Sequence, residues 1–293
     1  MSKVTRVNRP APTAELYAKA VAGTVLPGLL WGGGTTVPDD VLERTLTPER
    51  DDLQAYDGVC GFASTDILPV TYPHVLGFPL SMQIMTGRSF PLPVLGMVHV
   101  ANTITVYHPV PAGAELTVRV HAEGPFAHKR GTEVDLVTEV LVGGTLCWEE
   151  SSTYLCKGSK LAEHQGLVER PRIDWPVPTD GAQVSEVRVD GDIGRRYASV
   201  SGDRNPIHTH SLGARAFGFK GVIAQGMWTL ARSLAEAGLP QEVPYRVAAA
   251  FWKPVFLPAD VRLLTETEGG QSRVWLTGQT SETIHLVATV DRI

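Results

Sequence analysis

Two stretches of the chain alternate apolar and polar residues as half-buried β-strands do. They cover residues 114–120 and 261–267, and each ends near a Glu-Gly pair. Each follows an apolar segment that is broken by a Pro-Val step and then a Pro-Ala step. Period-two alternation of this kind predicts antiparallel strands. Four further segments continue the pattern, two in each half of the chain: residues 133–142, 145–155, 273–280 and 283–290.

Each half also contains an apolar segment that predicts a helix ahead of its strands. These segments are residues 74–86 and 223–237, and Pro79 weakens the first because proline removes a backbone donor. A helix followed by a run of antiparallel strands is an α+β pattern, and its simplest packing wraps the sheet around the helix. The recurrence predicts a degenerate tandem repeat. Two unrelated sheets with shared turn chemistry would give the same pattern.

A polar, proline-bearing segment at residues 157–192 separates the two halves and predicts a linker. The chain has 293 residues, which fits one large domain or two of ordinary size. We therefore predict one repeat over residues 1–165 and a second over residues 166–293.

Composition and charge narrow the class of protein. The chain is 43% hydrophobic and 19% charged, which favours a packed core, and its net charge of -5 argues against a nucleic-acid partner. The apolar run at residues 20–31 is too short and too broken to cross a bilayer, so we expect no membrane association. Cys60, Cys147 and Cys156 form no Cys-x-x-Cys pair, which favours reduced thiols in a cytoplasmic protein.

The strongest chemical signal is the sequence Ser-Gly-Asp-Arg-Asn-Pro-Ile-His at residues 201–208. Its glycine and its Asn-Pro pair favour a tight, stiff loop that can bring Asp203 close to His208. An Asp and a His that converge can hold a water molecule and exchange protons near neutral pH. The structural alternative is that these side chains cap backbone groups in a turn. A zinc site with His210 is a weaker interpretation, since no further His or Cys cluster follows.

A glycine-rich segment follows the loop and predicts the start of a helix. Residues 211–219 resemble a short helix with a glycine exit, and residues 220–230 read Lys-Gly-Val-Ile-Ala-Gln-Gly-Met-Trp-Thr-Leu. Glycines there permit close approach of a ligand. The unpaired N–H groups of a helix start can stabilise a developing oxyanion.

Taken together, these motifs resemble the MaoC-like hydratases, also called the hydratase-2 or (R)-specific enoyl-CoA hydratase family. The similarity covers about residues 195–229: Tyr-Ala-x-x-Ser-Gly-Asp-x-Asn-Pro-Ile-His, then Ala-Arg-x-Phe-Gly-Phe, then Ile-Ala-x-Gly-Met. The two-part layout is similar to the double hot-dog members, including the mycobacterial 3-hydroxyacyl-thioester dehydratases. The resemblance implies an α+β double hot-dog fold, in which each of two tandem repeats wraps an antiparallel sheet around a central helix. It also implies a hydro-lyase of fatty acid metabolism, which interconverts trans-2-enoyl and (3R)-3-hydroxyacyl thioesters by reversible addition of water.

The resemblance also implies roles for single residues. Asp203 and His208 match the family's catalytic pair, which holds the water, and Asn205 matches the residue that supports their loop. The backbone N–H of Gly226 is our candidate donor to the thioester carbonyl. We expect neither a cofactor nor a metal ion.

The remaining motif positions include two departures from the family. Tyr197 and Ser201 match positions ahead of the catalytic pair, and we expect them to support the site. His210 stands where many members have Asp, and Gln225 stands where many have His. Gln225 can donate a hydrogen bond but cannot titrate. We expect activity to survive both departures.

The first repeat has no copy of the Gly-Asp-x-Asn-Pro-x-His motif, and we interpret its isolated His74 as a structural or surface imidazole. The resemblance implies that this repeat is non-catalytic and helps to bind the acyl chain. Six apolar residues either line such a tunnel or belong to a plain core: Leu76, Phe78, Leu80, Met82, Ile84 and Met85.

The implied partner is an acyl-CoA or an acyl-carrier-protein thioester, and both carriers present phosphate groups. Arg204, Arg215 and Lys220 are our CoA-binding candidates, and Arg88 and Lys253 are further basic residues near the expected entrances. An internal repeat already supplies a pseudo-dimer, so a monomer and a homodimer are both consistent with the sequence. Two other functions stay open: a non-catalytic acyl-thioester-binding hot-dog module and a hot-dog thioesterase.

Overall fold

The computed structural model describes residues 3–25, 34–161, 165–167, 169–171, 173–238, 243–280 and 282–293. Parts of the apolar run at residues 20–31 and of the linker predicted at residues 157–192 lie outside these ranges. The first half contains β1 (Val4–Arg6), α1 (Thr13–Val25), β2 (Val41–Leu46), α2 (Arg50–Cys60), α3 (Tyr72–Met85), β3 (Met97–Val106), β4 (Leu116–His128), β5 (Gly131–Val142) and β6 (Thr145–Lys157).

Within the described ranges, the second half contains five strands and four helices, and the helices precede every strand but the first. The elements are β7 (Gln183–Val189), α4 (Ile193–Ser201), α5 (Pro206–Thr209), α6 (Ser211–Ala216), α7 (Gly226–Ala237), β8 (Tyr245–Phe251), β9 (Ala259–Glu268), β10 (Gln271–Thr277) and β11 (Ile284–Arg292). Each predicted strand segment therefore overlaps an observed strand.

The strands of both halves form one 11-stranded sheet in the order β1-β2-β4-β5-β6-β3-β8-β11-β10-β9-β7. The sheet is antiparallel apart from the β1–β2 pair, which is parallel. The halves join where β3 pairs with β8, in a register that runs from Ala101 opposite Ala250 to Val106 opposite Tyr245. This junction makes the two repeats share one continuous layer.

One helix of each half packs on the strands of that half. Helix α3 contacts β4 and β5, and α7 contacts β10 and β11. Pro79 lies inside α3 without ending it. Because α3 is buried on most of its surface, its packing offsets the backbone hydrogen bond that proline removes. Each half thus has a sheet around a central helix, as a hot-dog repeat requires.

The structure corrects several boundaries that the sequence suggested. The helix predicted from residue 223 begins at Gly226, because the preceding residues pair with a neighbouring extended segment: Ala224 N donates to Val255 O at 2.9 Å. Strand β4 runs on to His128, past a register shift between Glu123 and Phe126. The linker is shorter than predicted, because residue 157 belongs to β6 and residues 183–189 belong to β7.

None of the helices in the described ranges is long and apolar enough to span a membrane.

Candidate active site

Asp203 and His208 approach one another at the edge of a cavity. The His208 Nε2 atom lies 3.8 Å from Asp203 Oδ2, which is too long for a hydrogen bond. A water molecule can contact both atoms across such a gap. The predicted single loop is only partly a loop: Ser201 ends α4, residues 202–205 are irregular, and His208 lies on the one-turn helix α5. The sequence prediction that this segment brings the two side chains together is consistent with this geometry.

The hydrogen bond of His208 to the backbone fixes which of its ring nitrogens can act as a base. The Nδ1 atom lies 2.8 Å from the carbonyl oxygen of Ile223, and a carbonyl can only accept. The hydrogen of the neutral ring is therefore on Nδ1, and Nε2 carries the lone pair that faces Asp203. The backbone of Ile223 is itself held in place, because its N–H donates to Ile207 O at 3.2 Å.

Side chains of the motif hold the Asp203 segment in place. The Ser201 hydroxyl donates to Tyr197 O at 2.8 Å and accepts from Asp203 N at 3.1 Å. Asn205 caps α5 by accepting from Ile207 N at 3.3 Å. Asn205 therefore shapes the chain between Asp203 and His208, which is a supporting role.

Gln225 replaces a titratable group with a buried amide that braces the loop. Its Nε2 donates to Gly194 O at 2.9 Å and to Asp203 O at 3.3 Å. The side chain is 1% exposed, and its Oε1 has no partner within the described ranges. Gln225 therefore links α4, the loop and the start of α7.

Gly226 is the first residue of α7 and lines the same cavity. The first N–H groups of a helix have no partner inside the helix, so they are free to donate to a ligand. A Cβ on Gly226 would lie 3.2 Å from the ring of Phe251. Glycine therefore lets this aromatic wall approach the helix start closely.

Tyr17 is a site residue that the sequence did not reveal. Its hydroxyl donates to Asp203 Oδ1 at 2.6 Å, across 186 positions of the chain. Burial, and then the negative charge of Asp203, raise the pKa of Tyr17 well above its ordinary value, so it stays a donor. Tyr17 belongs to α1 in the first half, and no motif there signals this contact.

The cavity is lined by both halves of the molecule. Three of the six predicted tunnel residues line it, namely Phe78, Met82 and Met85, whereas Leu76, Leu80 and Ile84 are buried in the core. Tyr197 also lines the cavity; its hydroxyl has no partner among the residues described, and burial raises its pKa.

The structure also changes the interpretation of His74. This side chain is buried, lines the cavity, and its Nδ1 lies 2.9 Å from Glu150 Oε2. It is therefore neither isolated nor on the surface. No sequence pattern signals this pairing, because Glu150 lies 76 positions away on β6.

The exposed cations at the cavity differ from those predicted. Arg130, Lys157 and Lys253 are exposed and line the cavity, so they mark its mouth. Lys253 was among the basic residues that the sequence suggested. The others are exposed but lie outside the described lining of the cavity: Arg88, Arg204, Arg215 and Lys220.

A metal site is not apparent in the described ranges, where no group of three or more His, Cys, Asp or Glu side chains could hold an ion. His210 is exposed, whereas His208 is buried and bound to Ile223. These two imidazoles do not converge in the way that the zinc interpretation required.

Comparison with known proteins identifies relatives over most of the chain. The 3-hydroxyacyl-thioester dehydratase X of Mycobacterium tuberculosis is 37% identical over 260 residues, which cover 86% of this chain and 90% of the relative. A crystal structure of this mycobacterial protein, HtdX, matches with a TM-score of 0.74 and 35% identity, over 86% of this chain and 100% of that chain.

More distant structures support the fold alone. A MaoC-like dehydratase from Phytophthora capsici has a TM-score of 0.71 at 16% identity, over 86% of this chain and 95% of that chain. An acyl-ACP thioesterase from Bacteroides thetaiotaomicron has a TM-score of 0.56 at 10% identity, over 86% of this chain and 97% of that chain. The expected α+β double hot-dog fold is thus confirmed. The family described as MaoC like domain matches residues 178–289, and with the extent of the mycobacterial similarity this shows that the chain belongs to the MaoC-like dehydratase family.

Proposed function

We propose that this protein catalyses the reversible hydration of trans-2-enoyl thioesters to (3R)-3-hydroxyacyl thioesters. The observation that carries the proposal is the approach of His208 Nε2 to within 3.8 Å of Asp203 Oδ2 beside a cavity that Gly226 also lines. Family membership supports it, since the mycobacterial relative is named a 3-hydroxyacyl-thioester dehydratase.

The reaction can be written with these groups alone. A water molecule between Asp203 and His208 loses a proton to one of them as its oxygen bonds to carbon 3 of the enoyl group. The electron pair of the double bond moves toward the thioester carbonyl, where the N–H of Gly226 stabilises the enolate-like transition state. The Asp203–His208 pair then returns the proton taken from water to carbon 2, which completes the addition. Dehydration reverses these steps.

The supporting residues act by holding this arrangement. Asn205, Ser201 and Gln225 fix the backbone on both sides of Asp203, and Tyr17 donates to its carboxylate. Tyr197 adds a phenol to the cavity wall. Proximity of well-oriented groups is a large part of catalysis, so displacement of any of them is expected to slow the reaction.

The first repeat supplies the wall for the acyl chain in this proposal. Residues 1–165 form the non-catalytic repeat and residues 166–293 the repeat with the motif. The support is the cavity lining by Phe78, Met82 and Met85 of α3 opposite the Asp203–His208 pair.

The carrier is CoA or acyl-carrier protein, and its phosphates bind at the mouth of the cavity. Arg130, Lys157 and Lys253 supply positive charge there. Arg204, Arg215 and Lys220 are exposed outside this lining and would contact only a larger carrier surface. We also propose a cytoplasmic location, in keeping with the free thiols of the three cysteines, and either a monomer or a homodimer as the assembly.

One assay tests the reaction. Crotonyl-CoA and a longer trans-2-enoyl-CoA are offered while the enoyl absorbance and the free thiol are followed. Loss of absorbance without release of thiol supports hydration. Release of thiol would instead indicate a thioesterase, and binding without turnover would indicate a non-catalytic acyl-thioester-binding module.

Two variants test the residues. We expect Asp203→Asn and His208→Gln each to lower turnover by about a hundredfold or more, the usual scale for loss of an acid–base group. His210→Gln is the matched control, because His210 is exposed two positions after His208. Near-normal rates in both active-site variants would overturn the assignment.

A further inference from the structure

A second polar cluster faces the cavity from the first half of the molecule. His74 of α3 lies with Nδ1 2.9 and 3.0 Å from the two carboxylate oxygens of Glu150 on β6. Asn102 of β3 donates to the same carboxylate at 2.6 Å and to Ser152 Oγ at 3.1 Å. His74 lines the cavity together with Asp203 and His208. The reaction proposed above uses none of the residues in this cluster.

The surroundings of His74 do not favour a charged pair for stability alone. Its neighbours along α3 that line the cavity are apolar: Phe78, Met82 and Met85. Glu150 is 1% exposed, and burial of an ion pair usually costs about as much as its attraction returns. Well-packed apolar side chains would serve the core as well. A binding role explains why a polar group stands at this point of the wall.

The cluster leaves one nitrogen of His74 available to a ligand. Burial, the largest single effect, lowers the pKa of His74, whereas the charge and hydrogen bond of Glu150 and the charge of Asp203 together raise it, and the net shift is upward. The Glu150 carboxylate can only accept, so Nδ1 carries a hydrogen, and the upward shift of the pKa favours a second hydrogen on Nε2. Glu150 accepts from Nδ1, and the described part of the chain offers no hydrogen-bond partner to Nε2. A plain alkyl chain at this place would leave that N–H unsatisfied, whereas an oxygen atom would accept from it.

The other ring beside the cavity cannot take over this role. His99 stacks on His74 with ring centroids 6.3 Å apart, and its own pKa is lowered to about 3 by burial and by the charge of His74. His99 is therefore neutral, and its Nε2 is enclosed without a partner within the described ranges. Of this stacked pair, His74 is thus the ring that a carboxylate holds in place beside the cavity.

The net charge of the site indicates whether a charged or an uncharged oxygen atom of the acyl chain fits beside His74. The charges of His74 and Glu150 cancel, and Asp203 adds a negative charge close enough to raise the pKa of His74 as well. A carboxylate on the acyl chain would be repelled by Asp203 and would find no net positive charge. A hydroxyl or keto oxygen carries no such cost.

We propose that His74, held by Glu150, is a specificity-determining residue that donates Nε2–H to an uncharged oxygen atom on the acyl chain. The favoured substrates are then trans-2-enoyl thioesters with a hydroxyl or keto group along the chain, in preference to plain alkyl chains. This inference rests on the hydratase activity proposed above.

The test compares substrates of equal length. Trans-2-hexenoyl-CoA is measured against the same thioester with a hydroxyl at carbon 4, 5 or 6, and against the thioester with a terminal carboxylate. We expect kcat/KM to be about tenfold higher for at least one hydroxylated substrate, the usual scale of a hydrogen bond to a charged group. We expect no such gain for the carboxylate.

Variants assign the preference to the cluster. His74→Phe keeps a ring of similar size and should bring the ratio of hydroxylated to plain substrate to about one. Glu150→Gln is the second variant if the first does not fold, and it should lower the ratio because it removes the charge that holds the ring. His121→Phe is the matched control, since His121 pairs with Glu123 outside the described lining of the cavity. Its ratio should equal that of the wild type.

The outcomes separate this inference from the proposed function. The inference is overturned if the wild-type protein does not prefer a hydroxylated substrate, whichever carbon carries the hydroxyl. It is also overturned if the preference persists in His74→Phe. A preference for the carboxylate that disappears in His74→Phe also overturns the choice of an uncharged oxygen. Hydration of plain trans-2-hexenoyl-CoA leaves the proposed function standing in each case, and its absence would reject that function first.

Discussion

Two hydrogen bonds, one of them between the halves, set the electrostatics of the site. Asp203 receives a hydrogen bond from Tyr17 of α1, while His208 is oriented by the carbonyl of Ile223. The two bonds act on opposite sides of the 3.8 Å gap between the catalytic candidates. They therefore set the direction of the carboxylate and the tautomer of the imidazole independently.

Tyr17→Phe tests the first of these contacts, because it removes the donor and keeps the ring. A hydrogen bond to a charged group contributes about 1.5–3 kcal/mol, so we expect kcat/KM for crotonyl-CoA to fall by at least about tenfold. Tyr56→Phe is the control, since it removes a buried phenol that donates to Thr71 outside the cavity. A Tyr17→Phe protein with wild-type kcat/KM would show that Asp203 needs no support from α1.

At the scale of elements, the close packing of α4 against α5 carries the site. A Cβ on Gly194 of α4 would collide with the backbone carbonyl of His208. The carbonyl of Gly194 also accepts from the Gln225 side chain at 2.9 Å, which connects α4 to the start of α7. Three helices thus converge on one glycine, and only a residue without a side chain permits their spacing.

Gly194→Ala should therefore damage both stability and activity. Overpacking at such a contact typically costs about 1–3 kcal/mol, and the displaced α5 would carry His208 away from Asp203. Chemical unfolding and the hydration assay measure the two effects. Gly58→Ala, in α2, is the control: its Cβ would meet nothing within 4 Å, so it should raise the unfolding free energy by up to about 1 kcal/mol. Equal stability of the two variants would contradict this account.

At the scale of the whole molecule, the β3–β8 junction makes one cavity out of two repeats. The pairing from Ala101 to Val106 with Tyr245 to Ala250 fixes the halves relative to one another. The wall from α3 then faces the helix start at Gly226. A repeat that has no motif still contributes to the site through its surface.

Met85→Phe tests the role of that wall. A larger side chain in the cavity should lower kcat/KM for a long trans-2-enoyl-CoA by more than for crotonyl-CoA, because only the longer chain needs the space. Ile84→Phe is the control, since Ile84 is buried on the same helix outside the described lining. If both variants change the two substrates by the same factor, α3 does not bind the acyl chain.

The central helix and the main strands of each half, the repeat and the Asp203–His208 motif could be predicted from the sequence alone. Alternation of apolar residues and local turn chemistry are properties of neighbouring positions, so they can be read from the chain. The contacts of Tyr17 with Asp203 and of His74 with Glu150 join residues 186 and 76 positions apart, and tertiary structure alone decided them. Tertiary structure also determines which cations lie at the mouth of the cavity, because this depends on which loops the continuous sheet brings together. Local patterns specify elements, whereas the packing of those elements specifies which distant polar groups share a buried space.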